Sequence, residues 1–164
     1  MKNASEMVPE IVLYQPDIAQ NVGSIIRMAV CFGLPIHLIE PMGFPFSENK
    51  FKRAGMDYLD RAKLTRHRSW GHFMEVRNLP ENAERRLVAL TTKGSTLMNE
   101  FRFESGDYLL FGRESAGLPD SVHEVCNARV RIPMVAGERS MNLAQSCAVT
   151  CYEAQRQLDV FQGN

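Results

Sequence analysis

The feature that most constrains this chain is a set of short, nearly continuous apolar runs: Ile11-Val12-Leu13-Tyr14, Ile36 to Ile39, Leu87-Val88-Ala89-Leu90 and Tyr108-Leu109-Leu110-Phe111. None alternates apolar with polar, as a strand with one wet face does. Such runs need cover on both faces, which a parallel sheet flanked by helices supplies. Between them the apolar period lengthens to that of a helix. Over 21–32, Asn21 predicts an N-cap, Ile25, Met28, Ala29 and Phe32 form one face, and Gly33 marks the stop. Shorter helices are predicted over 50–58 and 70–77, and a last strand from Arg129 to Ile132. From about Ser140 to Leu158 the stripe Leu143, Cys147, Cys151, Ala154, Leu158 predicts a long final helix. The expectation is an α/β fold in one domain over residues 10–160, after a loose N-terminus over 1–9. A length of 164 residues suits one domain.

Composition narrows the class. A hydrophobic fraction of 45% excludes a disordered or collagen-like chain. No stretch reaches the roughly 18–20 apolar residues of a membrane helix, and the first ten residues predict no signal peptide. Four cysteines without a CxxC pair predict reduced thiols in the cytoplasm. Nineteen basic residues balance nineteen acidic ones, yet Arg outnumbers Lys by 14 to 5, and Arg suits forked contacts to phosphate. Residues 50–68 hold Lys50, Lys52, Arg53, Arg61, Lys63, Arg66 and Arg68 against Asp57 and Asp60, a local excess of five positive charges. Rings at Phe51, Tyr58, His67 and Trp70 lie within or beside it. This stretch reads either as a grip on a polyanion with stackable bases or as a solvated helix face over core rings.

In open α/β sheets, ligands sit in loops beyond the carboxyl ends of strands. Three such loops here are rich in Gly and polar residues: Gln15 to Gly23, Gly112 to Pro119, and Pro133 to Asn142. There is no GxGxxG after a strand and no GxxxxGK[ST]. Ser115 falls one position too late for a GxSxG elbow. His37, His67, His72 and His123 show no metal-ligand spacing and read as surface or packing residues. The chain thus offers no obvious nucleophile, metal site or phosphate loop. That suits a reaction whose cofactor brings its own activated group.

Taken in order, Asn21-Val22-Gly23-Ser24-Ile25-Ile26-Arg27, then Leu110-Phe111-Gly112-Arg113-Glu114-Ser115-Ala116-Gly117-Leu118-Pro119, then Ile132-Pro133-Met134 with Ser140-Met141-Asn142-Leu143 resemble the three motifs of the SPOUT RNA methyltransferases. The likeness is greatest to the TrmL group, which 2′-O-methylates the tRNA wobble nucleotide. Ile39 to Phe44, Arg53 to Tyr58, Leu90 to Gly94 and Tyr152 to Ala154 extend the resemblance over roughly residues 10–158. One departure is Arg113, where the group leads one to expect Pro.

The resemblance implies a parallel-sheet SPOUT fold with helices on both faces, a C-terminal trefoil knot and a homodimer. It implies S-adenosylmethionine as methyl donor, no metal, and tRNA as partner, with C34 or modified U34 of leucine tRNAs as the target. Another tRNA or rRNA position, or RNA binding without catalysis, are the alternatives. The implied cofactor cup is Leu90, Thr91, Gly112, Glu114, Ile132, Met134, Ser140, Met141 and Leu143. Asn21, Arg27, Glu114, Ser140 and Asn142 are the implied catalytic set. For Arg27 two roles stand: activating the 2′-hydroxyl, or, because a guanidinium holds its proton, stabilising the alkoxide or gripping phosphate. Lys50, Lys52, Arg53, Arg66 and Arg68 are the candidate RNA contacts, with Tyr58 or Phe44 to stack a flipped base. Met28, Phe32, Tyr152 and Leu158 are the candidate dimer face.

Overall fold

The computed structural model describes residues 7–53 and 57–161. Among these residues seven strands form one sheet: β1 (Glu10–Tyr14), β2 (Ile36–Ile39), β3 (Leu64–His67), β4 (Leu87–Leu90), β5 (Thr96–Leu97), β6 (Tyr108–Phe111) and β7 (Ala128–Arg131). Their order is β3-β2-β1-β6-β4-β7-β5, and every pairing is parallel. The apolar runs are its centre: all four residues of β4 and of β6 are buried.

Among the described residues five helices cover the two faces: α1 (Ala19–Phe32), α2 (Glu48–Arg53), α3 (Trp70–Arg77), α4 (Asp120–Val125) and α5 (Leu143–Leu158). On one face Ile11, Leu13 and Leu109 pack with Ile25 and Ile26 of α1 and with Cys147, Cys151 and Ala154 of α5. On the other, Val12, Tyr14 and Tyr108 pack with Phe73 of α3 and Val122 of α4. Gly33 ends α1 in the left-handed region (φ 70°), and its N–H reaches back to the carbonyls of Ala29 and Val30. Such a cap suits glycine, which has no Cβ to clash there.

The structure departs from the sequence reading at several ends. Helix α1 starts at Ala19, with Ile18 at the cap and no side-chain bond there; Asn21 lies one turn inside and is buried. Helix α5 starts at Leu143, and Asn142, not Ser140, caps it by accepting from the N–H groups of Ala144 (2.9 Å) and Gln145 (3.3 Å). The helix expected over 50–58 divides into α2 and a 3-10 turn over Asp57–Arg61, with residues 54–56 of that motif outside the described residues. Of the N-terminus expected to be loose over 1–9, residues 1–6 also lie outside them. Met7 accepts a hydrogen bond from Ser105 Oγ at 2.6 Å, and Pro9 is buried.

Strand β7 slots between β4 and β5, two strands that precede it in the chain. Helix α5 then runs under the segment before β6: Gln157 accepts from the Phe103 N–H (2.9 Å) and donates to the Phe101 carbonyl (3.0 Å). Gln155 donates to the Phe32 carbonyl at 3.0 Å, tying α5 to α1. Late insertion of this kind is what the expected C-terminal knot calls for.

Candidate active site

The carboxyl ends of β4, β6 and β7 open into a cavity of about 420 Å³, within the usual range for small-molecule sites. Leu90 and Thr91 leave β4, Gly112 and Glu114 follow β6, and Ile132 and Met134 follow β7. Ser140, Met141 and Leu143 lead into α5. All nine residues expected at the cofactor cup line this one cavity, together with Asn21 and Asn142. Asn142 Nδ2 donates to Asn21 Oδ1 at 3.1 Å, across 121 positions of sequence. Asn142 therefore caps α5 with its oxygen and braces α1 with its nitrogen.

The loop after β6 is a closed turn. Arg113 and Gly117 exchange backbone hydrogen bonds of 3.1 and 2.8 Å. A Cβ on Gly112 would lie 2.5 Å from the carbonyl carbon of Gly117, so only glycine lets the two ends of the turn meet. Glu114 sits near its tip. One carboxylate oxygen, Oε2, accepts from the backbone N–H of Asp17 at 2.6 Å. The other, Oε1, is buried without a partner among the described residues, an acceptor awaiting a donor. Thr91 is braced from behind, its hydroxyl 3.1 Å from Nε2 of His123.

Arg27 is not in the cavity wall. It lies on the exposed side of α1, six residues and so about 9 Å of helix beyond Asn21. Its guanidinium stands 5.9 Å from the centre of the Tyr58 ring. That ring is buried, and its hydroxyl donates to the Gly23 carbonyl at 3.0 Å. Tyr58 is thus a core residue rather than a free platform for a base, while Phe44 is half-buried against the core. Lys50, Lys52, Arg53, Arg66 and Arg68 are all exposed. Two are already paired: Lys52 with Asp60 at 2.9 Å, and Arg66 with Glu40. Arg66 also lies over the Phe46 ring, 4.8 Å from its centre.

Comparison with known proteins fits this geometry. Residues 9–152 match the SpoU rRNA Methylase family. The chain belongs to that family. A relative from Ancylobacter novellus, named tRNA (cytidine(34)-2′-O)-methyltransferase, is 47% identical over 155 residues, covering 94% of this chain and 96% of its own. A solved structure described as giving insights into 2-OH methylation of C/U34 on tRNA superposes with a TM-score of 0.85 at 44% identity, covering 94% of this chain and 98% of the other. The SpoU methyltransferase AviRb from Streptomyces viridochromogenes, solved in complex with AdoMet, gives a TM-score of 0.82 at 26% identity, over 96% of this chain and 60% of its own.

In this SpoU family member the cavity also has walls that motif reading missed: Ile18, Phe111, Arg113, Leu118 and Arg131. Phe111 and Arg131 are the last residues of their strands, so the strand-end rule was a signal for both. Among the described residues, no helix is long and apolar enough to cross a membrane, and no group of three His, Cys, Asp or Glu side chains is placed to hold a metal ion.

Proposed function

We propose that this chain transfers a methyl group from S-adenosylmethionine to the ribose 2′-hydroxyl of nucleotide 34 of tRNA, cytidine or modified uridine, with leucine tRNAs as substrates. The observation that carries the reading is the convergence of nine residues from three separate strand ends on one cavity. The naming of relatives at 44–47% identity over nearly their whole length supports nucleotide 34 over another tRNA or rRNA position.

The residues present suit the cofactor. Leu90, Ile132, Met134 and Leu143 give an apolar bed for an adenosine group, and side-chain-free Gly112 lets a base edge reach backbone. The unpartnered Oε1 of Glu114 is an acceptor for a hydroxyl or ammonium donor in the same cavity. When bound, S-adenosylmethionine supplies a methyl group already activated on a positively charged sulfur. The protein has two tasks: to align that methyl group with the ribose and to help the 2′-oxygen lose its proton. Asn21, Asn142 and Ser140 form the polar side of the cavity and orient the ribose. Arg27 stabilises the developing alkoxide or holds the neighbouring phosphate.

Arg27 shares the outer stripe of α1 with Ser24 and Cys31, while Met28 packs partly on the core; α5 beside it exposes Val149 (41%) and Tyr152 (52%), the latter packed on Phe161. We assign this face to a homodimer, and the chemistry of Arg27 to the assembled pair, acting in the cytoplasm. Lys50, Lys52, Arg53, Arg66 and Arg68 then hold the anticodon arm through its phosphates.

The test is incubation of the purified protein with tRNA and methyl-labelled S-adenosylmethionine, followed by nucleoside and fragment mass spectrometry. A 2′-O-methyl mark at nucleotide 34 is the expected result. A mark elsewhere, or cofactor binding without transfer, overturns it.

A further inference from the structure

Asp17 lies in the loop after β1 and is absent from the cavity wall, yet it is tied more heavily to that wall than any neighbour. Its Oδ1 accepts from Nε (3.1 Å) and Nη2 (2.5 Å) of Arg113. Its Oδ2 accepts from the backbone N–H (3.0 Å) and hydroxyl (2.6 Å) of Ser115. Its own N–H donates to Glu114 Oε2 at 2.6 Å. One residue therefore holds three consecutive residues of the turn after β6. The loop after β2 presses on it from behind: a Cβ on Gly43 would lie 2.8 Å from the Asp17 Cα, and the Gly43 N–H is bonded to the Pro16 carbonyl at 2.9 Å.

The arrangement has a direction. The Asp17 N–H occupies one oxygen of Glu114, which fixes the carboxylate plane of a residue that lines the cavity. Arg113 and Ser115 flank Glu114 on either side and are both anchored to the same carboxylate, so the turn cannot rock about Glu114. We propose that Asp17 is a positioning residue for the methyl transfer, acting through Glu114, with the Asp17–Arg113 pair as its anchor. The inference rests on the proposed function and deepens it. The hydrogen bonds from Arg113 and Ser115 also hold the Asp17 carboxyl at about 2, so the anchor stays charged throughout the neutral range. The ligand chemistry that Glu114 meets is a hydroxyl or ammonium donor, which the cofactor or the target ribose would present.

The experiment is a double-mutant cycle between Asp17→Ala and Glu114→Gln, with Asp17→Asn as an isosteric second variant. Thermal midpoint, cofactor affinity by calorimetry, and kcat and KM for tRNA methylation are read for each. The expected result is a fall in kcat/KM of about 10–100-fold for Asp17→Ala in the parent, shrinking to less than about threefold when Glu114 is already Gln, since coupled residues are not additive. Both variants keep the Asp17 backbone N–H to Glu114; Asp17→Asn also keeps an oxygen for Arg113 but leaves the Ser115 N–H without its acceptor, and should fall between Asp17→Ala and the parent. A loss confined to cofactor affinity identifies the cofactor as the donor that Glu114 meets; a loss confined to kcat identifies the ribose. Equal losses in both Glu114 backgrounds, or losses that merely follow the thermal midpoint in all variants, overturn the positioning role while leaving the function intact. A parent protein that does not methylate nucleotide 34 overturns the function, and the role with it.

Discussion

The turn after β6 makes a prediction whose sign follows from geometry alone. Gly112 has no unusual φ, so replacing it with Ala costs nothing in backbone conformation. The added Cβ, however, would meet three backbone atoms: the Gly117 carbonyl carbon at 2.5 Å, the Leu118 nitrogen at 2.7 Å and the Gly117 Cα at 2.8 Å. Carbon contacts relax at about 3.5–4.0 Å, so the two ends of the turn must part by about 1 Å. No flexible side chain can yield instead. Overpacking of this kind costs about 1–3 kcal/mol, and backbone neighbours put it in the upper half of that range. The control is Gly71 in α3, whose nearest neighbour to an added Cβ is Ser69 Oγ at 3.7 Å. There the same substitution makes only an ordinary van der Waals contact, and helix propensity favours Ala by up to about 1 kcal/mol. For a chain of this size each kcal/mol moves Tm by about 2–4 °C. Gly112→Ala should thus lower Tm by roughly 4–12 °C, and Gly71→Ala raise it by about 1–4 °C. Circular dichroism melts decide it, with calorimetry of S-adenosylmethionine binding alongside. Gly112→Ala should also weaken cofactor binding about tenfold or more, since the turn carries Glu114. A Gly112→Ala protein that melts with the parent, or two glycines that respond alike, would show that close approach is not what holds the turn shut.

Burial, with His37 and His72 beside it, pushes His67 down to about 4. The unfolded chain takes up that proton near 6.5 and the folded chain refuses it; stability is therefore full above about 6.5 and falls between there and about 4, a slope that His67→Gln should flatten in denaturant titrations across this range. Arg27→Ala should retain fold and cofactor affinity but lose about 100–1000-fold in turnover, and activity within a few-fold of the parent rejects the assignment. Replacing both Arg53 and Arg66 with Ala should lower the slope of log tRNA affinity against log salt by roughly 1.5–2 without changing cofactor affinity; an unchanged slope returns this run to a solvated face. Light scattering at micromolar concentration should give the mass of two chains, and a monomer would remove the pairing assigned to the α1–α5 face that carries Arg27, Val149 and Tyr152.

The central strands were legible because both their faces are buried, which leaves a run of apolar residues in the sequence. Strand β3, Leu-Thr-Arg-His, was not: it is an edge strand with Thr65 and Arg66 exposed, and charged edges lack the apolar signature. Strand β5 has two residues and α4 six, too short for any period to show. That these residues line one cavity was legible through motif order, but the bonds among them were not. Asn21 reads locally as a helix cap because Asn commonly serves there; its actual partner, Asn142, is 121 residues away. His37 and His67 read as isolated residues, yet their ring nitrogens lie 2.8 Å apart and Glu10 meets His37 at 2.7 Å. Sheet register brings these three together, and no local pattern encodes it. Arg113 stood out only as an unexpected residue type; its meaning appeared with Asp17 opposite.

Insertion of β7 between β4 and β5 also sets a timetable. A chain leaving the ribosome exposes β4, β5 and β6 before β7 exists, so the sheet must either wait with a gap or open one later. Pairings between distant segments are slow to form, and this one comes last because its strand is made last. The cavity needs residues on both sides of that event, from Ile18 to Ser146, so a nascent or truncated chain lacking β7 has only part of its wall. Any ligand of the cavity then binds only finished molecules and adds its free energy to them alone. Small-molecule occupancy becomes a checkpoint on biogenesis, telling a chain with β7 in place from one that has merely collapsed.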